Sequence, residues 1–428
     1  MKPLTKIISL AALATVALTS CNNMVVSPVS PSGMKTITIR NIGSSKQLVE
    51  SGTFKGMGSA TVNTPLILPG QEVSFSFYAG KGQTLNFATM YGWSKDCFFA
   101  PADSGLALYH ADGTPVTGDI SDQIMLWDDG TKTNGKINPS GPAVGGGNLV
   151  SRPIKEIGGS MDNDGNSFLP ASMLMNVTLT YNDTTSQFTI TIKNISGGTQ
   201  NTTPFSPGVW AVSNSLGGHL SDPMPYFTDD SLDRGNGLAK IAQMGDNSKL
   251  AAYDSANTGI IIPLSPVLVV IYHKGNNPVF KVTEADFGQG LADIAQKGMA
   301  STLASALKNM PGVTNVYVLG SSPILPGGME TGQIQYANGD KIFIATMFGT
   351  SNDWFFANET GMNANKSGDV SNMISLYDDG TALEQYPGAG NRQAGFGGTQ
   401  IPESNPIMEV GNTFPIPPAK DVIQVSLN

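Results

Sequence analysis

Acidic side chains at repeated positions are the residues of this chain with the clearest chemical potential. They occur in two copies of one pattern, in which an aspartate follows a predicted strand and an Asp-Asp-Gly-Thr segment comes later. The acids of the two copies are Asp96 with Asp128 and Asp129, and Asp353 with Asp378 and Asp379. Loops that converge at one end of a β-sheet protein can supply the several oxygen ligands that Ca²⁺ requires. The pattern therefore indicates a candidate calcium site in each copy.

The same aspartates also have simpler explanations. Asp-Gly is a common turn sequence, so the segments at Asp129 and Asp379 need no ligand. The Gly-Asp pairs at Asp119 and Asp369 are likewise typical of turns. Paired carboxylates can also form the acid and the nucleophile of a glycosidase, but no motif here separates those two roles. We therefore predict a protein that is not an enzyme, with a carboxylate-based hydrolase as an alternative.

Other catalytic or metal-binding residues are scarce. The chain has two cysteines and three histidines, and no histidine stands at a repeated position, which argues against Ser-His-Asp, Cys-His and His-rich zinc sites. Cys97 corresponds to Trp354 in the second copy, which favours a buried apolar thiol over a nucleophile. The segment 162–166 is similar to the start of an EF-hand loop, but Met173 occupies position twelve, so we interpret it as a polar turn.

The elements that must position these acids are duplicated. Residues 68–99 align without a gap with 325–356, and residues 124–131 align with 374–381. A series of matched segments in fixed order indicates two copies of one domain. Alternating polar and apolar residues at 36–40 and 188–192 predict strands with one face in a core. We place the boundary near residue 184, which gives a first unit at 36–183 and a second unit at 184–428.

A smaller duplication lies inside the second unit. Residues 235–245 align with 288–298, and each has the spacing of a short amphipathic helix that ends at a glycine. An apolar strand precedes each helix, at 205–212 and at 264–270. The first unit has no counterpart in its sequence. We therefore predict a mainly β protein with short helices in the second copy, carried by a duplicated strand-helix insertion.

The amino terminus has the features of a processing segment. Residues 1–20 combine two early lysines with an apolar stretch too short to span a bilayer, and they end before Cys21 in a segment that resembles the bacterial lipobox. The resemblance implies that Cys21 is lipidated and that residues 21–35 form a lipid-anchored linker. Asn22 replaces the aspartate expected for retention in the inner membrane. We predict an outer-membrane location facing the periplasm, with surface exposure as an alternative.

The composition limits the class of partner. Only 13% of the residues are charged, the net charge is −9, and glycine and proline are abundant at 50 and 27 residues. Many turns and few charges are typical of a β-rich protein outside the cytoplasm. A nucleic-acid surface would need clustered lysine and arginine, so we exclude a nucleic-acid partner. The acidic balance leaves cation binding open.

Several of these segments together are similar to a known family. The segments are 87–96, 118–119, 126–131, 206–210 and 345–356, and they include Ala-Thr-Met in both copies and Trp-Asp-Asp-Gly-Thr in the first. In this order they resemble the spondin domain, including its occurrence in bacterial lipoproteins, over nearly all of residues 36–428. The resemblance implies tandem antiparallel β-sandwiches of about eight strands each, similar to calcium-dependent lipid-binding modules.

The resemblance also implies a set of calcium ligands. In animal extracellular-matrix relatives the ligands are the aspartate of an Asp-Trp segment, the aspartate of a Trp-Asp-x-Gly-Thr segment, and an acid directly after that threonine. The first two correspond to Asp353 and Asp378, and to Asp96 and Asp128. Lys132 and Ala382 stand at the third position. A lysine repels the cation, whereas Ala382 only removes a ligand that Glu384 can replace.

These observations lead to one prediction of function with two alternatives. We predict a non-catalytic cell-envelope lipoprotein that is held to the membrane by its lipid and acts in adhesion or in binding an unidentified protein or glycan. Calcium is the only cofactor predicted, and the second copy is the better place for it. The alternatives are a purely structural envelope protein whose aspartates only make turns, and the hydrolase.

Overall fold

A computed structural model describes residues 32–58, 65–136, 146–216, 219–220, 226–273 and 275–428. The predicted signal peptide, Cys21 and the linker residues 21–31 lie outside the described residues. The last residues of the predicted linker, 32–35, belong to a strand, because they continue the ladder of the strand that follows. None of the helices in the described part of the chain has the length and apolar character needed to cross a bilayer.

The described chain is built mainly from short strands. In chain order the elements are β1 (Ser32–Asn41), β2 (Leu48–Phe54), β3 (Glu72–Tyr78), β4 (Thr84–Met90), β5 (Cys97–Pro101), β6 (Leu106–Ala107), β7 (Gly118–Asp119), β8 (Ile124–Asp128), β9 (Lys155–Glu156), β10 (Met175–Asn182), β11 (Gln187–Asn194), β12 (Gly208–Ser213), β13 (Ser215–Leu216), β14 (His219–Leu220), α1 (Leu238–Met244), α2 (Ser248–Asn257), β15 (Val267–His273), α3 (Leu291–Lys297), α4 (Ser301–Leu307), β16 (Val313–Leu319), β17 (Met329–Ala337), β18 (Asp340–Met347), β19 (Trp354–Ala357), β20 (Met362–Asn363), β21 (Gly368–Asp369), β22 (Ser375–Asp378), β23 (Met408–Glu409) and β24 (Ile423–Leu427).

The strands form two similar antiparallel β-sandwiches. In the first sandwich, a sheet of order β3-β11-β10-β7 faces a sheet of order β2-β12-β4-β5-β8-β9. In the second sandwich, a sheet of order β17-β1-β24-β21 faces a sheet of order β16-β15-β18-β19-β22-β23. Ring contacts cross from one sheet to the other, as where Phe75 of β3 stacks on Trp210 of β12 with centroids 5.3 Å apart. The mainly β fold predicted from the sequence is confirmed.

The alternating segments bury one face, as their period of two predicts. Ile190 and Ile192 of β11 are fully buried, as are Ile37 and Ile39 of β1. Burial of one such side chain contributes about 1.5–3 kcal/mol to stability. On the opposite face of β11, threonine hydroxyls pair with serine hydroxyls of β3, and Thr191 lies 2.7 Å from Ser74. The same alternation therefore fixes both the core side and the solvent side of these strands.

Two helices cover the outer face of the larger sheet in each sandwich. Helices α1 and α2 pack on β4 and β2, and α3 and α4 pack on β18 and β16. The apolar positions predicted to share one helix face, among them Leu238 and Ile241, are fully buried. Because these sheets are covered on both sides, strands such as β12 and β15 are apolar along almost their whole length.

The predicted boundary near residue 184 does not coincide with a division between the sandwiches. Residue 184 lies in the turn of a β-hairpin, because β10 and β11 pair from Asn182↔Gln187 to Met175↔Asn194. Strand β11 also pairs with β3, and β12 pairs with β2 and β4. A short connection keeps consecutive antiparallel strands side by side. Residues 184–257, assigned from the sequence to the second unit, therefore belong to the first sandwich.

The structure places the amino-terminal strand β1 in the second sandwich, whereas the sequence predicts it in the first unit. Strand β1 lies between β17 and β24, the place that β11 has between β3 and β10. The first sandwich is therefore continuous, at 48–257, whereas the second combines 32–41 with 264–427. Each sandwich has one strand-helix unit, so the prediction that helices belong only to the second copy is wrong. The first of the two strand-helix segments predicted as an insertion, which contains β12 and α1, belongs to the first sandwich.

Candidate metal centre

Two neighbouring strands of the second sandwich bring Asp353 and Asp378 together. Asp353 directly precedes β19, and Asp378 ends β22, where it is paired with Trp354 in the ladder. The backbone N–H of Gly380 donates to Asp378 Oδ1 at 2.8 Å and closes the turn. Gly380 has φ +70°, and a Cβ there would lie 2.4 Å from the Asn405 carbonyl oxygen. The turn therefore requires a glycine at position 380, and Asp378 closes the turn in addition to lying beside Asp353.

Glu384 completes a group of three carboxylates. One oxygen each from Asp353, Asp378 and Glu384 lies within 4.8 Å of the other two. Asp353 is fully buried, and its Oδ2 accepts hydrogen bonds from the N–H groups of Thr381 at 2.6 Å and Ala382 at 2.8 Å. Asp353 Oδ1 and both oxygens of Glu384 are shielded from water and accept no hydrogen bond. A hard cation would satisfy these three oxygens.

The electrostatics of this group are unfavourable without a positive charge. Burial is the largest cause that raises the pKa of Glu384 to about 11, and the neighbouring Asp353 and Asp378 carboxylates contribute to the same rise. Burial also raises the pKa of Asp378 above its usual range, with the charge of Asp353 as the next cause. Carboxylates that repel one another in a buried site take up either protons or a cation.

The first sandwich brings together only part of the predicted set. Asp96 and Asp128 meet across β5 and β8, and Asp96 Oδ2 accepts hydrogen bonds from the N–H groups of Thr131 and Lys132. Burial raises the pKa of Asp96 to about 7 and that of Asp128 to about 6. Counted from the shared threonine, Asn134 stands where the second copy has Glu384. The third carboxylate is therefore replaced by a carboxamide.

An arginine accompanies the aspartates of the first sandwich. The charge of Asp164 raises the pKa of Asp128 in addition to burial, and Asp164 is paired with the Arg152 guanidinium at 3.0 Å. Asp164 also accepts a hydrogen bond from the N–H of Asn134 at 2.8 Å. Asp162 closes its own loop by accepting from the N–H of Asn166 at 2.7 Å, as predicted for a polar turn. The two sandwiches therefore differ in charge around equivalent aspartates.

The remaining predicted residues have structural roles. Asp119 Oδ1 accepts from the N–H of Ser121 at 2.9 Å, and Asp369 Oδ1 accepts from the N–H of Ser371 at 2.8 Å, so both make turns as predicted. Cys97 is fully buried, and its thiol donates to Asn134 Oδ1 at 3.4 Å. Burial raises the pKa of this thiol well above its usual range. The predicted burial of this thiol is confirmed, and the raised pKa lowers the fraction of thiolate that a nucleophile would need.

Sequence reasoning missed the glutamines that tie the helices to the acidic turns. Gln243 of α1 donates to Thr131 Oγ1 at 2.7 Å, and Gln296 of α3 donates to Thr381 Oγ1 at 2.9 Å. Both glutamines occupy the same position in the duplicated helix, which was the signal available in the sequence. Each helix is thereby fixed to the segment that presents the carboxylates.

The second aspartate of each Asp-Asp-Gly turn is more than a turn residue. Asp129 and Asp379 are fully buried, and their Oδ2 atoms lie 2.9 Å from the hydroxyls of Thr131 and Thr381. Their Oδ1 atoms accept no hydrogen bond. Burial raises the pKa of Asp379 to about 8, and the charge of Asp286 is the next cause. The turn explanation accounts for the glycine but not for this buried carboxylate.

A cavity lies beside the three-carboxylate group. It has a volume of about 390 Å³ and is lined by Thr381 and Gln296 together with residues of the loop 394–402. Gln400 of that loop accepts a hydrogen bond from the Asn352 side chain at 2.7 Å and donates to the Asn352 carbonyl at 2.9 Å. Because Asn352 precedes Asp353, the cavity and the carboxylates share one loop framework.

Comparison with known proteins does not assign this chain to a family. No protein-family model matches it, and no curated protein matches it. The resemblance to the spondin domain therefore stays a prediction, and the function is inferred from the geometry of the carboxylates.

Proposed function

We propose that this chain is a non-catalytic binding protein of the bacterial cell envelope whose second sandwich holds Ca²⁺ between Asp353, Asp378 and Glu384. The observation that carries the proposal is the convergence of three carboxylates within 4.8 Å, with buried oxygens that lack a donor. Oxygens that bind one Ca²⁺ at about 2.3–2.6 Å lie up to about 5 Å apart, so this spacing suits a shared ion.

The proposed ion stabilises the loops that would bind a ligand. Asp353 precedes β19, whereas Glu384 belongs to the long segment that also lines the cavity of about 390 Å³. The polar side chains of Gln296, Thr381 and Gln400 at this cavity suit a glycan or a peptide with hydrogen-bonding groups. None of the three acids lines this cavity, and Asp353 Oδ1 and both oxygens of Glu384 are shielded from solvent, which supports binding over hydrolysis because the acids of a glycosidase must contact the sugar.

The location in the cell envelope is part of the same proposal. It rests on the lipobox-like segment before Cys21 and on the composition of the chain. The acyl chains on Cys21 would anchor the protein to the outer membrane, where the binding loops face the periplasm. Mass spectrometry of the mature protein tests this proposal, and we expect an amino-terminal cysteine that carries acyl chains. A mature terminus elsewhere, or an unmodified cysteine, would contradict it.

Counting bound calcium tests the proposed site. We expect Glu384→Gln to bind one Ca²⁺ fewer than the wild-type chain, because the carboxamide removes a charged ligand. The measurement is calorimetric titration of calcium into the mature chain after treatment with EDTA, together with the melting temperature. An ion that binds at a concentration 100 times its Kd adds about 2.7 kcal/mol to stability.

The matched control is Asp96→Asn, which changes the corresponding aspartate of the first sandwich. We expect this variant to retain the ion that Glu384→Gln loses. If Glu384→Gln binds as many ions as the wild type, with the same affinities, the three-carboxylate group is not a calcium site. The structural alternative, in which the aspartates only shape turns, would then be favoured.

A further inference from the structure

The second sandwich has another cavity, which is larger and less polar than the one beside the carboxylates. Its volume is about 510 Å³, within the range of about 300–1,000 Å³ that is usual for small-molecule sites. The largest apolar side chains in its walls are Leu264, Leu325, Met347 and Phe396. Leu325 is 53% exposed, so much of this side chain faces solvent rather than the core. The lining is therefore suited to an apolar group of a ligand.

The walls of this cavity are held in fixed places. The N–H of Met347 donates to Ser265 Oγ at 2.9 Å, and Gly298, at the end of α3, lies so close to Ser265 that a Cβ there would be 2.9 Å from the serine Cβ. Phe396 is buried, and its ring packs on Gly80 of the first sandwich, where a Cβ would lie 2.9 Å from the ring. A preformed cavity of this kind loses little entropy on binding.

Two differences between the copies reduce the size of the side chains at this place. Thr350 aligns with Trp93, and Leu264 aligns with Phe205. The backbone is equivalent, because Leu264 and Phe205 form bridges to equivalent residues in the two sandwiches. In both pairs an aromatic ring of the first sandwich is replaced by a smaller side chain in the second. The second sandwich therefore has more space here.

A third difference adds a positive charge. Lys297, the last residue of α3, aligns with Met244, and it is the only charged residue among the described residues that line either cavity. Its ammonium lies 3.1 Å from Asp293, but its side chain is 54% exposed, and exposed pairs of this kind are weak. Thr302 Oγ1 also donates to Asp293 at 2.8 Å, so the carboxylate keeps a partner if the lysine turns away. Lys297 is therefore available to an anion at the rim of the cavity.

The larger cavity adjoins the smaller one. Lys297 and Ala394 line both of them. A ligand that extends from the larger cavity to the smaller would first meet apolar side chains, then the ammonium, and then hydrogen-bonding groups such as those of Gln296 and Thr399. This order matches a molecule that has an apolar body and an acidic head group.

We propose that the second sandwich binds a single anionic amphiphile, with its apolar body in the cavity of about 510 Å³ and its acidic group at Lys297. Transfer of the apolar body out of water drives binding, and the ammonium forms a charge-assisted hydrogen bond with the head group. The inference goes beyond the proposed function, because none of the three carboxylates lines this cavity and the binding requires no Ca²⁺. Aromatic sulfonates and aliphatic carboxylates share this chemistry, so the experiment uses one of each.

Fluorescence titration of the full mature chain in EDTA tests the inference, with 8-anilinonaphthalene-1-sulfonate as the probe. Thr350→Trp restores the side chain of the first sandwich and should weaken binding at least about tenfold, because the indole fills the cavity. Lys297→Met also restores the residue of the first sandwich. It should weaken the sulfonate about fivefold, as for the loss of an exposed ion pair, and leave the affinity for the neutral N-phenyl-1-naphthylamine unchanged.

Further variants keep the test valid if Thr350→Trp does not fold. Leu325→Glu changes an exposed side chain, and its charge in the apolar wall should weaken both probes at least about tenfold. Its matched control is Leu149→Glu, at an exposed leucine of the first sandwich, and the control for Lys297→Met is Lys308→Met, directly after α4. Both controls should bind the probes as the wild type does. Dodecanoate should displace the sulfonate, whereas acetate at the same concentration should not.

The outcomes separate this inference from the proposed function. If Thr350→Trp and Leu325→Glu bind both probes as tightly as the wild type, the probes occupy another surface and the inference is wrong. An unchanged affinity of Lys297→Met for the sulfonate would contradict an anionic ligand. Either result in a chain that still loses one Ca²⁺ in Glu384→Gln would leave the proposed function intact. Probe binding that depends on the cavity variants in a chain that binds no Ca²⁺ would give the reverse result.

Discussion

Glu384 stands two residues beyond the position at which the spondin-like pattern has its third acid, but its carboxylate still reaches Asp353 and Asp378. The backbone N–H of Ala382, at the expected position, donates to Asp353 instead. In the first sandwich the residue equivalent to Glu384 is Asn134, which contributes no charge. At the scale of single residues, the exchange of a carboxylate for a carboxamide therefore distinguishes the two sandwiches.

The stability of the metal-free chain should depend on pH through Glu384. The unfolded chain has an ordinary pKa of 4.5 for this group, and the folded chain has a pKa of about 11. Between these values the folded state retains a proton that the unfolded state has lost, so stability falls as the pH rises. We expect Glu384→Gln to reduce this slope by about 1 kcal/mol per pH unit. Urea unfolding with EDTA at pH 6, 7.5 and 9 measures it.

Glu409→Gln is the control for this prediction, because Glu409 is an exposed glutamate on β23. Its slope should equal that of the wild type. Equal slopes for the wild type and Glu384→Gln would show that Glu384 is already ionised in the folded chain. That result would contradict the burial of an uncompensated carboxyl group at this position.

The sequence was sufficient to predict part of the site. Asp353 and Asp378 are candidates because they recur in the matched segments, and Glu384 is a candidate because it can replace the third acid that the resemblance to the spondin domain implies at Ala382. The burial of Asp129 and Asp379 is not predicted, because an aspartate before a glycine is also typical of a simple turn. Burial separates these cases, and burial depends on which helix packs on which strand. That information is distributed over distant parts of the chain.

At the scale of elements, β1 and β11 occupy equivalent positions in the two sandwiches. The sequence predicts β1 in the first and β11 in the second, and the structure has them the other way round. Both carry alternating threonine and isoleucine, so each fits the same gap between two strands. The hairpin after β10 brings β11 into the first sandwich. In the second sandwich β1 fills the equivalent gap, between β24 and β17. This is an exchange of like elements within one chain.

Substitutions in the two strands should weaken different sandwiches. Ile37→Ala should destabilise the second sandwich by about 2–5 kcal/mol, and Ile190→Ala should destabilise the first by a similar amount, because both side chains are fully buried. Hydrogen exchange read by mass spectrometry measures the effect by region. We expect faster exchange in β17 and β24 for Ile37→Ala, and in β3 and β10 for Ile190→Ala.

Thr38→Ala provides the comparison on the other face of β1, where the hydroxyl lies 3.2 Å from that of Thr331. Its effect should stay below about 1 kcal/mol, since that contact is exposed. Faster exchange of β3 and β10 in Ile37→Ala would instead show that β1 pairs within the first sandwich. That pairing is the one expected for two independent tandem domains.

Strand positions were easier to predict than strand partners. The alternation at 36–40 and 188–192 predicted β1 and β11 in nearly their observed places, and the duplicated helices were predicted from their spacing. The partner of β1 lies almost 400 residues away, and its pattern does not distinguish the two candidate sheets. Only the hairpin turn at 183–186 contained the necessary information, and it was interpreted as a boundary.

At the scale of the whole molecule, the two sandwiches touch each other. Tyr78 stacks on Tyr386 with centroids 4.9 Å apart, and Gln83 Nε2 donates to the Gly388 carbonyl at 2.9 Å. The N–H of Asn391 donates to Ser186 Oγ at 3.0 Å. The contact includes the segment between Glu384 and the loop that lines the cavity. The first sandwich therefore supports the segment that carries the proposed site.

The topology predicts which fragment folds alone. A fragment of residues 44–258 contains every strand and both helices of the first sandwich, so it should unfold cooperatively and give dispersed amide resonances. A fragment of residues 36–183, the unit predicted from the sequence, lacks β11, β12, α1 and α2 and should not fold. Circular dichroism on heating and two-dimensional NMR spectra compare the two fragments.

A folded 36–183 fragment together with an unfolded 44–258 fragment would restore the simple tandem arrangement. The intact chain is the reference for both, because its spectrum identifies native resonances of the first sandwich. Retention of those resonances in 44–258 would also show that the contacts at Tyr386 and Gly388 are not needed for folding.

The position of β1 also affects how the protein is made. This strand is synthesised first, but its neighbour β24 is synthesised last. At about 5–20 residues per second, the ribosome needs roughly 20–80 s to deliver that neighbour. For most of this interval β11 already exists, because only four residues separate it from β10, and it fills the gap beside β10 that the pattern of β1 would also fit. The hairpin therefore excludes β1 from the first sandwich early, and β1 stays without its native neighbours until β17 and β24 are made.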